Sequence, residues 1–251
     1  MQLDSSFVLQ FAAIFVRCGA MMLSSPLYGG AVPVNIRVMT AGVISLALTP
    51  VVGPLINLDV QSLAGLGLMM GREAIFGLLI GMCLQFLLAA IQIAGSFADM
   101  QLGLGSAQLF NPQIGGQTSP LGQFKFWLAT VILFLLNAHQ LMFRAFVASF
   151  HLKGAPIGGG EMLSSGVMLL SQLLILSIQI AAPVVAVTVV IDVAAGLINR
   201  AVPQTQPFLL ALPAKLALGL VTLAFGLPAL VVAVERAVET SFAGLQHMFG
   251  G

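Results

Sequence analysis

The run from Ala98 to Gln123, ADMQLGLGSAQLFNPQIGGQTSPLGQ, is the longest stretch of the 251-residue chain without a continuous apolar pattern. It separates two strongly hydrophobic segments near the middle of the sequence. Its glycines free the backbone, and Pro112 and Pro120 forbid a helix that passes straight through. The run is nevertheless rich in apolar residues and carries no charge between Asp99 and Lys125, which argues against disorder. It is therefore either a gate or a structured connector folded onto the protein, and the residues alone favour the two equally.

The composition is that of an integral membrane protein or of a subunit buried on nearly every side. Hydrophobic residues make up 59% of the chain and charged residues only 7%, with a mean hydropathy of +1.07, whereas soluble domains carry about 25% charged residues. The net charge of +1 gives no basic patch, so we expect no nucleic-acid partner. Cys18 and Cys83 lie in apolar runs and are expected to be buried thiols. Because no Lys or Arg precedes Arg17, the first hydrophobic segment is expected to be retained rather than cleaved as a signal peptide.

Six apolar segments predict an all-α fold of hydrophobic helices in contact with membrane lipid. They cover residues 7–22, 38–56, 63–98, 126–146, 167–191 and 209–234. A helix that spans the ~30 Å hydrocarbon core needs about 20 residues, and backbone in lipid must satisfy its own hydrogen bonds. The third segment is too long for one straight span, so it is either kinked or begins outside the lipid. Loop charges on the two sides nearly balance, so the positive-inside rule assigns no orientation.

Two further patterns concern helix packing. The pairs Gly67–Gly71 and Gly77–Gly81 have the spacing that lets helix backbones approach closely. Residues 231–249 continue the last segment as an amphipathic helix. This helix either lies on the membrane surface or a neighbouring protein, or simply ends in solvent.

A small set of charges within or beside these segments are the candidate structural charges: Arg72, Glu73, Asp99, Asp192, Arg200 and Lys215. Burying a charge in the bilayer centre costs about 2.5–3.5 kcal/mol, so each needs a partner or water. Arg72 and Glu73 are adjacent and point to different sides of a helix, which predicts separate partners. Asp99 or Asp192 could relay protons. We favour a structural ion pair or a helix-end contact for both.

Three prolines lie just before the last segment and at its start. Pro203, Pro207 and Pro213 predict that no continuous helix runs through this region. We assign Pro203 and Pro213 to a hinge between the last two hairpin helices, and Arg200 and Lys215 are then free to contact helix ends or Asp192.

Signatures of enzymes are missing from the sequence. It contains no H-E-x-x-H, G-x-S-x-G or Walker motif, and its three histidines stand far apart. We therefore expect a protein that is not an enzyme and uses no cofactor or metal. A secondary transporter or channel is the alternative function, although no repeated half and no convergent polar cluster is visible. A purely structural membrane scaffold is a third.

The chain resembles the FliR family of flagellar type III export-gate subunits, whose injectisome relatives are called SctT. The resemblance covers nearly the whole chain. The N-terminal half carries it in Arg17, Pro26, Gly29, Val32, Pro33, Arg37, Arg72, Glu73, Gly77, Gly81, Ala94, Gly95, Asp99, Gln101 and Gly103. The C-terminal half carries it in Asn137, His139, Ser149, Phe150, Pro156, Pro183, Asp192, Gly196, Leu197, Ile198, Arg200, Pro203, Gln204, Phe208, Pro213 and Lys215. The family usually has Asn at Gln206, an aliphatic residue at Pro207 and a second His at Gln140.

This resemblance implies an all-α fold of hydrophobic helical hairpins, as in a membrane-associated export gate. It also implies a single FliR-like domain over residues 1–251, in the bacterial inner membrane at the flagellar basal body. It implies a secretion pore built with FliP-like and FliQ-like subunits, an FlhB-like subunit at the cytoplasmic mouth, and flagellar proteins as the exported cargo. The loop 103–120 corresponds to the family's plug, the segment that helps to close the channel. We assign the seal to residues of this loop: Leu109, Phe110, Asn111, Pro112 and Ile114. Flagellar use is favoured over injectisome use.

Overall fold

A computed structural model of the protein describes residues 5–28, 32–56, 62–104, 119–151, 160–202, 204 and 206–248. Within these ranges the chain is all-helical and has no strand, which confirms the predicted fold class. The α-helices are α1 (Ser5–Ser24), α2 (Val34–Val52), α3 (Leu63–Leu102), α4 (Pro120–Leu135), α5 (Ala138–Ala148), α6 (Gly160–Ala201) and α7 (Pro207–Met248), and short 3-10 helices cover Pro26–Tyr28 and Gly53–Leu55. Five of these are long and apolar enough to cross a membrane, and the bent pair α4–α5 makes a sixth if it forms one span.

Three helices are much longer than a bilayer needs. Helix α3 has 40 residues, and α6 and α7 have 42 each. At 1.5 Å per residue, a straight helix of this length extends about 60 Å, roughly twice the hydrocarbon thickness. Helix α6 starts and ends beyond the predicted 167–191. Helix α7 includes the predicted amphipathic stretch up to Met248 as its own continuation.

The apolar stretch 126–146 does not form the one continuous helix that was predicted there. The structure divides it into two helices, α4 and α5. The break occurs at Asn137, which adopts a left-handed conformation with φ of 54°. Asn is one of the few residues that tolerate this conformation, so it interrupts a helix where no proline or glycine stands.

The connection between α6 and α7 is short. Helix α6 ends at Ala201, Gln206 has a positive φ of 45°, and Pro207 is the first residue of α7, a position where a missing N–H costs nothing. Helix α7 then continues through Pro213. The prediction that Pro213 interrupts the helix was therefore wrong, while Pro203 lies outside the described residues.

The chain forms two compact units, of which the first comprises Met1–Phe86, Asn137–Leu170 and Val238–Gly251. Its largest fully buried side chains include Ile14, Met21, Phe76, Ile80 and Phe146. Here α1 packs against α2, and the two α3 glycines described next bring α3 against α1.

Gly77 and Gly81 allow α3 to contact the backbone of α1. A Cβ atom on Gly77 would overlap the carbonyl oxygen of Arg17, and one on Gly81 would come within 2.5 Å of the carbonyl oxygen of Met21. The predicted close packing is thus confirmed for this pair. A Cβ atom placed on Gly67 or Gly71 would have no atom from another element within 4 Å, so the same spacing does not bring those two glycines against another part of the described chain.

The second unit comprises Leu87–Leu136 and Ser171–Ala237. Buried apolar residues from α3, α4 and α6 form its core, with leucines from α7 and the end of α3 packed against them. These residues are Ala98, Leu102, Leu121 and Val184, together with Leu104, Leu216 and Leu223. This core lies beside the two ends of the loop that the sequence analysis singled out.

The helices differ strongly in how much of their surface the chain itself covers. In the most apolar window of α3, 56% of the residues are buried inside the protein, against 22% in α6 and 17% in α7. Large apolar side chains of α6 and α7 are exposed, such as Ile178 at 61% and Phe225 at 83%. Helices this apolar must have lipid or other subunits against those faces.

Candidate functional site

Arg17 and Glu73 form a buried ion pair between α1 and α3. Arg17 Nη2 and Nε each lie 2.5 Å from Oε2 of Glu73, and the two side chains are only 5% and 7% exposed. Arg17 Nη1 donates to the Ser149 hydroxyl at 2.8 Å, and that hydroxyl donates to the Phe146 carbonyl oxygen at 2.6 Å. The Arg17 guanidinium also lies 3.8 Å from the ring centroid of Phe150. One buried cation therefore connects α1, α3 and the C-terminal end of α5.

Arg72 has different surroundings from its neighbour Glu73. Its guanidinium carbon lies 5.5 Å from the ring centroid of Phe76, and its buried Nε has no hydrogen-bond partner in the described part of the chain. The prediction that these adjacent charges would face different groups is confirmed. Sequence reasoning missed Arg17 as the partner of Glu73, because 56 residues separate the two. The available signal was the joint presence of Arg17, Glu73 and Ser149 among the residues that carry the family resemblance.

Asp99 connects the two ends of the loop 103–120. The chain leaves α3 at Gly103, which has φ of +77°, and the N–H of Leu104 donates to the backbone carbonyl of Asp99 at 3.1 Å. The side-chain carboxylate of Asp99 accepts the N–H of Leu121 at 3.0 Å and also the hydroxyl of Ser119. Asp99, in the last turn of α3, thus contacts Leu104 where the loop begins, and Ser119 and Leu121 where it ends.

The N-terminus of α4 supplies the groups that donate hydrogen bonds to this carboxylate. Ser119 is the N-cap of α4, and its hydroxyl accepts the N–H of Gly122 at 2.9 Å. Pro120 follows as the first helical residue. A carboxylate at a helix N-terminus is stabilised by the helix dipole and by unpaired N–H groups. Asp99 therefore has the helix-end contact that the sequence analysis favoured over a proton relay.

Two glycines bring α3 and α4 close enough for this contact. A Cβ atom on Gly95 would overlap the backbone of Gly122, and one on Gly122 would approach the carbonyl oxygen of Gln92 to 3.0 Å. The helices consequently meet backbone to backbone one turn before Asp99. A side chain at either glycine would move the N-terminus of α4 away from the carboxylate.

Asp192 and Lys215 form the second ion pair described by the structure. Lys215 Nζ lies 2.6 Å from Oδ1 of Asp192, which connects α6 to α7, and the side chains are 14% and 41% exposed, respectively. Arg200 is exposed in the last turn of α6, where a cation is favoured by the helix dipole. The pairing of Asp192 with Lys215 was one of the contacts that the sequence analysis allowed.

The predicted plug residues Leu109, Phe110, Asn111, Pro112 and Ile114 lie outside the described residues, so their role stays a prediction. Among the side chains that the structure does describe, no group of three or more His, Cys, Asp or Glu is arranged to hold a metal ion.

Long apolar helices, charges paired across helices and an internal loop held at both ends define the class of the protein, which is an all-helical membrane protein. Residues 8–241 match the family described as bacterial export proteins, family 1, and the chain belongs to this family.

Similar proteins cover nearly the whole chain. It is 28% identical to the flagellar biosynthetic protein FliR of Bacillus subtilis (strain 168) over 95% of this chain and 93% of that protein. It is 32% identical to FliR of Caulobacter vibrioides over 86% of this chain and 87% of that protein. It is also 30% identical to the Yop proteins translocation protein T of Yersinia pestis over 81% of this chain and 79% of that protein.

These findings confirm the family predicted from the sequence. The protein is a member of the FliR/SctT export-gate family, which serves type III export in flagella or injectisomes. Its relatives are non-enzymatic membrane components of the export apparatus, and association with other subunits of that apparatus follows from family membership.

Proposed function

We propose that the protein is a subunit of the flagellar export gate, located in the bacterial inner membrane at the basal body. It forms the secretion pore with FliP-like and FliQ-like subunits, and an FlhB-like subunit docks at the cytoplasmic mouth. Exported flagellar proteins pass through this pore. The FliR proteins of Bacillus subtilis and Caulobacter vibrioides, which are matched over more of the chain than the Yersinia protein, support flagellar rather than injectisome use.

The exposed apolar helices support the assembly part of this proposal. Little of α6 and α7 is covered within the chain, and exposed amide side chains such as Gln172 and Gln179 interrupt the apolar surface of α6. An amide that faces hydrocarbon lacks hydrogen-bond partners, whereas an amide in a helix–helix contact can find them. Neighbouring subunits are therefore better suited than lipid alone to cover this part of α6.

We further propose that the loop 103–120 seals the resting pore and moves aside during export. The observation that carries this proposal is the double contact of Asp99 with the two ends of the loop. The sequence of the loop supplies the rest: it has glycines that permit movement, no charge, and the apolar side chains of Leu109, Phe110 and Ile114. Hydrophobic constrictions close by excluding water, so such a seal needs no charged latch.

Deletion of residues 106–117 tests the seal. The deletion leaves Asp99, Gly103 and Ser119 in place, so assembly should persist while the closed complex leaks ions and small molecules. The Phe110→Ala substitution should cause a milder leak. Conductance is measured with substrate secretion switched off, and recovery of the complex is measured in parallel. A deletion variant that assembles and stays as tight as the parent would identify the loop as a connector only.

An injectisome export gate is the alternative supported by an observation, namely the 30% identity to the Yersinia translocation protein. Complementation of a flagellar and an injectisome deletion strain with this chain separates the two, because only one of the two secretion systems should be restored.

A further inference from the structure

A cavity of about 440 Å³ lies within the second unit, between α4, α6 and α7. Most of its lining is apolar, and the lining includes Pro183 and Val232, which are exposed, so the cavity opens to the surface of this unit. The lining residues of α6 and α7 lie near the middle of the candidate spans Gly166–Ala201 and Leu210–Phe242. The opening therefore faces the interior of a membrane or a neighbouring subunit rather than bulk water.

Lys125 lines this cavity from α4 and is only 4% exposed. Its ammonium group has three N–H donors and needs acceptors for them. Lys125 belongs to neither described ion pair, and among the described residues no acceptor for its donors is found. Asp99 attracts it electrostatically, but the Asp99 carboxylate already accepts hydrogen bonds from the Leu121 N–H and the Ser119 hydroxyl. Within the described chain, a buried cation thus reaches the cavity with its donors unsatisfied.

The other polar groups of the cavity do not meet this need. Arg236 is itself a donor and already makes an interaction of its own, and the Thr222 hydroxyl donates to the carbonyl oxygen of Leu218. A lipid chain would fill the apolar walls but offer no acceptor, and water would offer acceptors but leave the walls wet. An apolar helix that carries a carboxylate supplies both. Charged side chains inside membranes pair with one another in this way.

We propose that an apolar helix of a neighbouring export-apparatus subunit inserts an aspartate or glutamate side chain into this cavity, where the carboxylate pairs with Lys125. The exposed side chains of Ile178 and Phe225, each next in sequence to a lining position, provide apolar surface for that helix. The inference rests on the assembly part of the proposed function and specifies the chemistry of one contact. It does not depend on the proposed seal by the loop 103–120.

The substitution Lys125→Met removes the charge but keeps the length of the side chain. Because no described residue accepts a hydrogen bond from this cation, the melting temperature of the full-length chain alone in detergent should stay the same or rise. When FliP-like and FliQ-like subunits are co-expressed, the same substitution should lower their recovery with the chain about tenfold, the order expected for one lost charge-assisted hydrogen bond. Arg144→Gln in α5, at an exposed cation outside the cavity, is the control and should change neither quantity.

A photoreactive benzophenone amino acid in place of Val232 identifies what occupies the cavity. After irradiation of the assembled complex, peptide mass spectrometry should find cross-links to an apolar helix of a co-purified subunit that carries an acidic residue within about one turn. The same amino acid at Phe225, which is exposed but does not line the cavity, is the control position for contacts outside it. Changing the identified acid to lysine together with Lys125→Asp should restore the recovery that each single variant loses.

Several results would overturn the proposal. A lower melting temperature of the Lys125→Met chain alone would show that Lys125 is already paired within the chain. Cross-links from position 232 only to lipid, to a second copy of this chain or to a helix without an acid would exclude the proposed occupant, and this test stays decisive if the Lys125→Met protein does not accumulate. Failure of the proposed function is a different result, in which the FliP-like and FliQ-like subunits do not co-purify with the parent chain.

Discussion

Arg17 Nη2 lies 2.5 Å from Oε2 of Glu73 across the α1–α3 contact, and both side chains are buried. Removing one partner of a buried ion pair leaves the other charge unpaired, which costs about 3–5 kcal/mol. We predict that Glu73→Leu lowers the free energy of unfolding by about this amount. The measurement is denaturant or thermal unfolding of the purified protein in detergent.

The matched control is the double variant Arg17→Met with Glu73→Leu. Because both charges are then absent and the Ser149 hydroxyl keeps its bond to the Phe146 carbonyl, we expect the double variant to be more stable than Glu73→Leu alone. If the double variant loses as much free energy of unfolding as the Glu73→Leu and Arg17→Met single variants lose together, the pair contributes no coupling energy.

Gly77 and Gly71 offer a comparison within one helix. Gly77→Ala places a methyl group against the Arg17 carbonyl oxygen, so α1 and α3 must separate, at a cost of about 1–3 kcal/mol. Gly71→Ala meets no atom within 4 Å and should be neutral or stabilising by up to about 1 kcal/mol through helix propensity. Thermal unfolding of both variants tests this, and equal shifts would contradict the packing described for Gly77.

Much of the helical content could be predicted because it depends on local patterns. Length and hydropathy indicated the membrane helices, and the Gly-x-x-x-Gly spacing indicated the contact at Gly77 and Gly81. At Gly67 and Gly71 the same spacing does not bring another part of the described chain close, since spacing does not reveal whether the neighbour belongs to the same chain. The break at Asn137 was missed because the stretch around it is continuously apolar, with neither proline nor glycine.

The charge pairs depend on tertiary structure and were therefore harder to predict from the sequence. Separate surroundings for Arg72 and Glu73 followed from helix geometry, whereas Arg17 could not be selected as the partner of Glu73 from spacing. Pro213 was expected to end a helix because it lacks an N–H group. Instead α7 continues through Pro213. Helices in apolar surroundings tolerate a proline when other contacts satisfy the backbone carbonyl that has lost its N–H donor.

The Asp192–Lys215 pair should matter more for assembly than for folding. Because Asp192 is 41% exposed, a pair of this kind contributes at most about 1 kcal/mol to folding. We predict that Asp192→Asn changes unfolding little but reduces recovery of the assembled complex, measured by co-purification of the other export subunits. The charge-swapped variant, Asp192→Lys with Lys215→Asp, should restore it.

The proton-relay alternative predicts another pattern for the same variant. If Asp192→Asn assembles like the parent while export loses its dependence on the proton gradient, then Asp192 takes part in proton transfer and the structural interpretation is wrong.

The chain on its own should be poorly stable. Gly67 and Gly71 have open space beside them, the buried Arg72 Nε has no hydrogen-bond partner among the described residues, and α6 and α7 are largely uncovered. We expect aggregation or a low melting temperature for the protein expressed alone, and a clear rise on co-expression with FliP-like and FliQ-like subunits. A monodisperse, thermally robust monomer in detergent would argue against the export-gate subunit.

Asp99 provides the most direct test of how the loop is held. Asp99→Ala removes the acceptor for the Leu121 N–H and the Ser119 hydroxyl, a loss comparable to a helix cap, about 0.5–2 kcal/mol. Because these contacts lie at the base of the loop, the loss should appear as local opening rather than global unfolding. We predict faster amide hydrogen exchange and proteolysis in residues 103–120, with little change in α1 and α2.

Two further variants assign the effect to particular bonds. Ser119→Ala removes the cap of α4 but keeps the bond from the Leu121 N–H to Asp99, so it should cause a smaller change. Asp99→Asn retains an acceptor oxygen and should restore most of the protection, although it cannot titrate. If hydrogen exchange in Asp99→Asn matches the parent but export no longer depends on the proton gradient, Asp99 acts in proton transfer. If Asp99→Ala leaves exchange and proteolysis of residues 103–120 unchanged, the carboxylate does not hold the loop.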